Sequence, residues 1–189
     1  SQGRAALTPL GDQENVTALA YRPSGKVLVT VSRQRPDARR VSCDLWALPE
    51  GELRMQNEVR WVGEAAQALS PDGRLLAILT ERSKDVGLYD PATGKEWWRV
   101  GRLSEISVPT PFLSDGRIVV VSGYRPVQPI FAIKPGAAGD ITPKDGETTS
   151  GGVAWSTKSG GSYLPTPVGY RGHLYVLSNS GLLTCYDMK

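Results

Sequence analysis

VPTPFLSDGRIVVVSG, Val108 to Gly123, returns 56 residues later as LPTPVGYRGHLYVLSN, Leu164 to Asn179. In each copy a Pro-Thr-Pro leads into a turn ending in glycine, LSDG at Leu113–Gly116 and GYRG at Gly169–Gly172. A short run of Val, Ile, Leu and Tyr follows, from Arg117 and from His173. These runs are too brief for a helix and have no 3.6-residue period, so each reads as a buried strand. The glycine supplies the positive φ of a tight hairpin, so the segments on either side of the turn pair antiparallel.

The same hairpin occurs twice upstream, with turns RPSG (Arg22–Gly25) and SPDG (Ser70–Gly73) before KVLVTVSR and RLLAILTE. The turn glycines stand at 25, 73, 116 and 172, spacings of 43 to 56 residues, as expected of a repeated four-stranded unit. A third strand follows each hairpin: RRVSCDLWAL from Arg39, DVGLYDP from Asp85, PIFAIKP from Pro129 and GLLTCYD from Gly181. Fourth strands follow in three units, PEGELRM from Pro49, PATGKEWWRV from Pro91 and GVAWSTK from Gly152. The last unit stops at DMK, and the N-terminal AALTPL supplies its missing strand, with Gly3 standing where Gly94 stands. The pattern predicts an all-β single domain over 1–189. Its four blades cover about 15–57, 62–100, 106–158 and 162–189, the last completed by the N-terminal strand 4–11. Such a clasp removes an open sheet edge and ties the chain ends together.

Composition narrows the partners. The 189 residues carry a formal net charge of +3, with Lys and Arg scattered among Asp and Glu, so no obligatory polyanion is implied and nucleic acid is not expected. The basic run Arg33 to Arg40 reads as an exposed hairpin tip. Cys43 and Cys185, far apart in sequence, form no disulfide framework or metal motif and read as small apolar strand residues. No apolar run is long enough to span a bilayer, and the start SQGRAALTPLGDQ has no signal-peptide core; compartment stays open.

Two resemblances join these observations. YRPSGKVLVTVS, CDLWALPEGE, LSPDGRLLAIL and LYDPATGKEWW resemble blades of WD-repeat and YncE-like β-propellers. The stretch from VPTPFLSDG to LLTCYD resembles bacterial propellers of the pyrroloquinoline-quinone-like repeat family. The implied fold is a β-propeller of four four-stranded blades. The two kinds of half fit a natural fragment, a circular permutation or a chimera. WD-repeat blades often bond internally through Gly-His and Trp-Asp pairs; LWAL lacks the aspartate and no Gly-His precedes a blade, so that network is not expected. Quinone dehydrogenases hold their cofactor with calcium, an acidic base and often a disulfide of adjacent cysteines, and no residue here matches those motifs. No cofactor and no metal is expected, and the resemblance implies a periplasmic or secreted location if the chain is natural.

Candidate chemistry is sparse. His173, the single histidine, opens a strand directly after a turn glycine and reads as a half-exposed strand residue. Asp72 and Asp115 sit in turns whose equivalents at RPSG and GYRG lack a carboxylate, so they serve backbone geometry. The glycines punctuate hairpins and open no phosphate-binding helix. Trp46, Trp61, Trp97, Trp98 and Trp155 read as packing between blades, with one of the adjacent pair turned outward. Lys134 to Gly152, rich in Gly, Thr and Pro, reads as a partly ordered edge loop. Proline cannot donate to a ladder, so both Pro-Thr-Pro motifs belong at the start of an innermost strand, making Thr110 and Thr166 the candidate channel-lining residues. The expected function is a non-enzymatic scaffold or protein-interaction module. Its partner is another protein or a second copy, two half-rings then pairing into an eight-bladed homodimer. The alternative is a quinone- and calcium-dependent oxidoreductase with a ligand in the channel.

Overall fold

The computed structural model of the chain describes residues 15–33, 40–48, 50–60, 65–80, 84–106 and 108–189. Every regular element among them is a strand. The first sheet holds β1 (Val16–Tyr21), β2 (Val27–Arg33), β3 (Arg40–Ala47) and β4 (Glu52–Arg60) in sequence order. The second holds β5 (Ala65–Leu69), β6 (Leu76–Thr80), β7 (Asp85–Tyr89) and β8 (Glu96–Val100). The third holds β9 (Phe112–Ser114), β10 (Arg117–Val121), β11 (Ile130–Ile133) and β13 (Val153–Thr157). Its β12 (Gly139–Asp140) leaves the sheet to pair in parallel with β8, Gly139 facing Trp98 and Asp140 facing Arg99. The fourth sheet holds β14 (Val168–Tyr170), β15 (His173–Leu177) and β16 (Leu183–Asp187). The expected clasp strand, 4–11, lies outside the described residues, as do Trp61 and 34–39 of the basic run. That run's ends, Arg33 and Arg40, close β2 and open β3, which pair antiparallel.

The turn reading holds at all four glycines, whose φ values are 65°, 64°, 70° and 75° at Gly25, Gly73, Gly116 and Gly172. The two halves build the turn differently. Asp115 and Arg171 also have positive φ, 49° each, so Asp115-Gly116 and Arg171-Gly172 are two-residue turns with both central residues left-handed, matching the twist of the flanking strands. At 22–25 and 70–73 the glycine amide instead returns to the carbonyl three residues back, 2.8 Å in both cases, with Pro23 or Pro71 fixing the first central φ. Asp72 works within that turn. Its carboxylate accepts from Ser70 Oγ at 2.6 Å and from the Arg74 amide at 3.1 Å, and these bonds, the hydroxyl's first, hold it below the usual carboxylate range. A carboxyl lowered in the folded state adds stability above its unfolded pKa of about 4 that is lost as pH falls through the lowered value. Asp72→Asn is therefore expected to melt below the parent at pH 7, with the gap closing in acid, as thermal melts at both pH values would show.

By contacts the chain divides into two compact units, 1–80 with 87–96 and 81–86 with 97–189. In the first, Val31, Val41 and Cys43 pack with Leu76 and Ile78, joining one face of the first sheet to β6. Burial, and then the neighbouring Asp44 carboxylate, pushes the Cys43 thiol up to about 12, so Cys43 is the apolar strand residue the sequence suggested. Cys185 faces outward instead, because alternation along β16 puts it on the face opposite Tyr186, which packs on the core. The other face of the first sheet is buried yet polar. Trp46 Nε1 donates to Thr30 Oγ1 at 2.9 Å, and Ser42 Oγ to Asp44 Oδ1 at 2.8 Å. A tryptophan–hydroxyl bond thus forms inside the first blade although the motif's usual partners are missing.

In the second unit the core comprises Val119, Val121, Ile130, Leu174, Val176 and Met188, between the third and fourth sheets. Trp155 stacks on Tyr186 beside it, ring centroids 6.1 Å apart. Of the adjacent tryptophans, Trp98 is buried and Trp97 is 43% exposed, as strand alternation requires.

The Lys134–Gly152 connection is more built than a partly ordered loop. Beyond the β12 pairing, the Ile141 amide donates to Arg99 O at 2.9 Å, and the Gly101 amide to Thr142 Oγ1 at 2.9 Å. Ile141 is buried, and Ser150 Oγ donates to its carbonyl at 2.6 Å. This segment covers the outer edge of β8, a standard protection for an exposed sheet edge.

A candidate ligand cleft at one end of the second unit

Strand direction gathers a set of loops in the second unit. Because neighbouring strands in its sheets are antiparallel, β10, β13 and β15 all end, and β9 and β14 begin, at one end. The connections 101–111, 122–129, 158–167 and 178–182 therefore share that end. Ser104 ties the first to the second, its hydroxyl bonding Ser122 Oγ and accepting from the Tyr124 amide at 3.2 Å. The Gly161 amide donates to Gln128 O at 2.8 Å, tying the second to the third.

Between these loops opens a cleft of about 490 Å³, lined by Tyr124, Arg125, Gln128, Tyr163, Asn179 and Ser180 around Gly123, Gly161 and Ser178. Two glycines let its walls meet. A Cβ on Gly123 would fall within bonding range of the Ser162 carbonyl, and one on Gly161 would lie 2.8 Å from Pro129 O. The Tyr124 and Tyr163 rings lean together, centroids 5.3 Å apart at 52°. Gln128 Nε2 donates to Gly123 O at 2.8 Å, which leaves its carbonyl oxygen for a ligand. Ser178 Oγ bonds Ser180 Oγ at 2.8 Å and accepts from the Leu182 amide at 3.0 Å, fixing that loop. Neutral hydroxyls and amides, two aromatic faces and one guanidinium make this a place to bind, with no proton-transfer pair among its lining residues.

The sequence expectations map onto this end unevenly. Thr110 and Thr166 are exposed and stand two residues before β9 and β14, which are edge strands, each pairing on one side within its sheet. Gly169 approaches Ser114 and Phe112, so these two strands lie side by side. Both threonines thus sit at the cleft end but are not among its lining residues. His173 is exposed, its Nδ1 2.9 Å from Arg171 O, at the opposite end of β15. Among the described residues no three His, Cys, Asp or Glu side chains gather as metal ligands. The cleft itself went unread in the sequence. Its signal was the close of the repeated stretch, SG at Ser122–Gly123 and SN at Ser178–Asn179, equivalent positions of which Gly123, Ser178 and Asn179 line the cleft.

Four consecutive sheets, each built of strands in sequence order, are the arrangement of a β-propeller, here of four blades. Solved structures agree. The computationally designed Ika4 protein matches with a TM-score of 0.55 at 15% identity, over 100% of both chains. The computationally designed Ika8 protein gives 0.56 at 14% identity, over 96% of this chain and 48% of that one. The β-propeller domain of Cps50 (Swd1) from Myceliophteria thermophila gives 0.56 at 11% identity, over 92% and 54%. The chain thus spans all of Ika4 and about half the length of the other two. At such identities the likeness is one of fold. No protein-family model matches the chain, and no curated protein does. No helix among the described residues is long and apolar enough to cross a membrane.

Proposed function

We propose that the chain is a non-enzymatic β-propeller module that holds a protein partner or a second copy, its last blade taking a fourth strand on the outer edge of β16. The observation carrying this reading is the unequal last sheet. Among the described residues the first three each hold four strands in sequence order, the second also joined by β12, whereas β14–β15–β16 has three. The Met188 amide bonds inward to Gly172 O, so by antiparallel alternation the Leu183, Cys185 and Asp187 amides point away from β15. Leu182 and Leu183, 66% and 61% exposed, lie beside that row of donors, and such an edge templates strand addition. The likeness to proteins about twice as long, and the halves' resemblance to WD-type and quinone-type repeats, support association with further blades. The N-terminal segment 4–11 is the strand proposed to pair there, from the same chain or a copy.

Amide hydrogen exchange tests the edge directly. Protection of Leu183, Cys185 and Asp187 is expected, and exchange at the free-amide rate would refute it. Light scattering then separates a one-copy mass, a strand donated within the chain, from a two-copy mass. Cys185→Pro, which removes one outward donor, should abolish protection at Leu183 and Asp187, while Cys185→Thr keeps it.

A further inference from the structure

We propose that the cleft between the 122–129, 158–167 and 178–182 loops binds a ligand bearing a single carboxylate on a short apolar body, with Arg125 as its anion anchor. Charge carries the argument. Arg125 is the one ionic side chain lining the cleft, and no acidic residue lines it. The other described arginines of this unit are already engaged: Arg99 with Asp140 at 3.5 Å, Arg102 with Asp145 at 2.9 Å, Arg117 with Asp115 at 3.4 Å, and Arg171 over the Tyr170 ring at 5.1 Å. Arg125 is exposed and has no ion pair or hydrogen bond among the described residues. Its guanidinium presents paired donors that match a carboxylate.

The remaining lining groups set the ligand's size and polarity. One lone cation suits a monoanion; a phosphate dianion would call for a second cation, and none lines the cleft. The leaning Tyr124 and Tyr163 rings offer apolar faces to the body behind the carboxylate. Gln128 Oε1 and the Asn179 amide can read polar groups at its flank, since the Gln128 nitrogen is held by Gly123 O. A volume of about 490 Å³ lies within the range of small-ligand sites and admits a small acid or the last residues of a peptide.

Calorimetric titration with three probes tests this: acetyl-Gly-Phe with a free C-terminal carboxylate, the same peptide as its C-terminal amide, and benzoate. The acid peptide is expected to bind and its amide to bind at least about tenfold more weakly. Benzoate binding as well as the acid peptide would assign the site to free small acids, and binding of the peptide alone to a chain terminus. Arg125→Gln should weaken the acid about tenfold or more and leave the amide unchanged, with rising salt having the same selective effect. Arg171→Gln, outside the cleft, should change neither. Equal binding of acid and amide, an Arg125→Gln protein that binds the acid normally, or no binding of either acid would overturn the proposal. Unchanged circular dichroism of both variants keeps a folding defect from passing as a lost contact. The result is independent of strand addition at β16, whose amides report separately.

Discussion

Gly123→Ala is expected to destabilise the protein by about 1–3 kcal/mol or more, the range for atoms forced into a packed site. The added methyl would overlap the backbone of Ser162, which cannot turn aside as a long side chain can. The 122–129 and 158–167 loops would have to part. Doing so strains the Gly161-to-Gln128 and Gln128-to-Gly123 bonds that hold the cleft wall. The φ of Gly123 is not left-handed, so the demand is for space and not for conformation. Gly151→Ala is the matched control, since nothing lies within 4 Å of a Cβ there and its φ is ordinary. Denaturant midpoints at an unchanged slope should drop for the first and stay within about 0.5 kcal/mol for the second. Equal midpoints would mean that the loops do not meet as described.

Leu174→Ala should cost still more, about 2–5 kcal/mol, through lost transfer energy and the cavity left behind. Leu174 is fully buried on β15, with Val119 and Ile130 of the third sheet, Val176 and Met188 around it. Strands on two sheets converge there, so the backbone has little room to close the gap. For a protein of ordinary marginal stability, a loss of that size removes a large share of the total. Leu113→Ala supplies the contrast. Leu113 on β9 is 74% exposed, and its truncation should leave the midpoint nearly unchanged. A small effect at Leu174 would contradict packing of β15 against the third sheet.

Much of the fold was legible because its signals are local. A glycine at 25, 73, 116 or 172 reports a backbone demand of its own turn, and short Val- and Ile-rich runs report their own burial. Adjacent Trp97 and Trp98 had to face opposite ways, and they do. His173 and the carboxylate of Asp72 likewise read correctly as strand and turn residues, since each contact involves neighbours in sequence. The Lys134–Gly152 segment was less legible. Its composition is that of a loop, while its order comes from Arg99 and Gly101, some 40 residues earlier.

The candidate site was the least legible part. Thr110 and Thr166 stand out by their flanking prolines, yet the cleft is lined by ordinary Tyr, Arg, Gln, Ser and Asn from three separate loops. Nothing in SGYRPVQP or GGSYLP by itself says that Gly123 must meet Ser162. Sequence alone determined the strands, their turns and their order, because each follows from the φ preferences, hydrogen-bonding capacity and hydrophobic period of adjacent residues. Which loops meet and which arginine is left without a carboxylate were decided only by the tertiary structure. Those properties depend on distances between residues far apart in the chain, fixed only once the sheets pack.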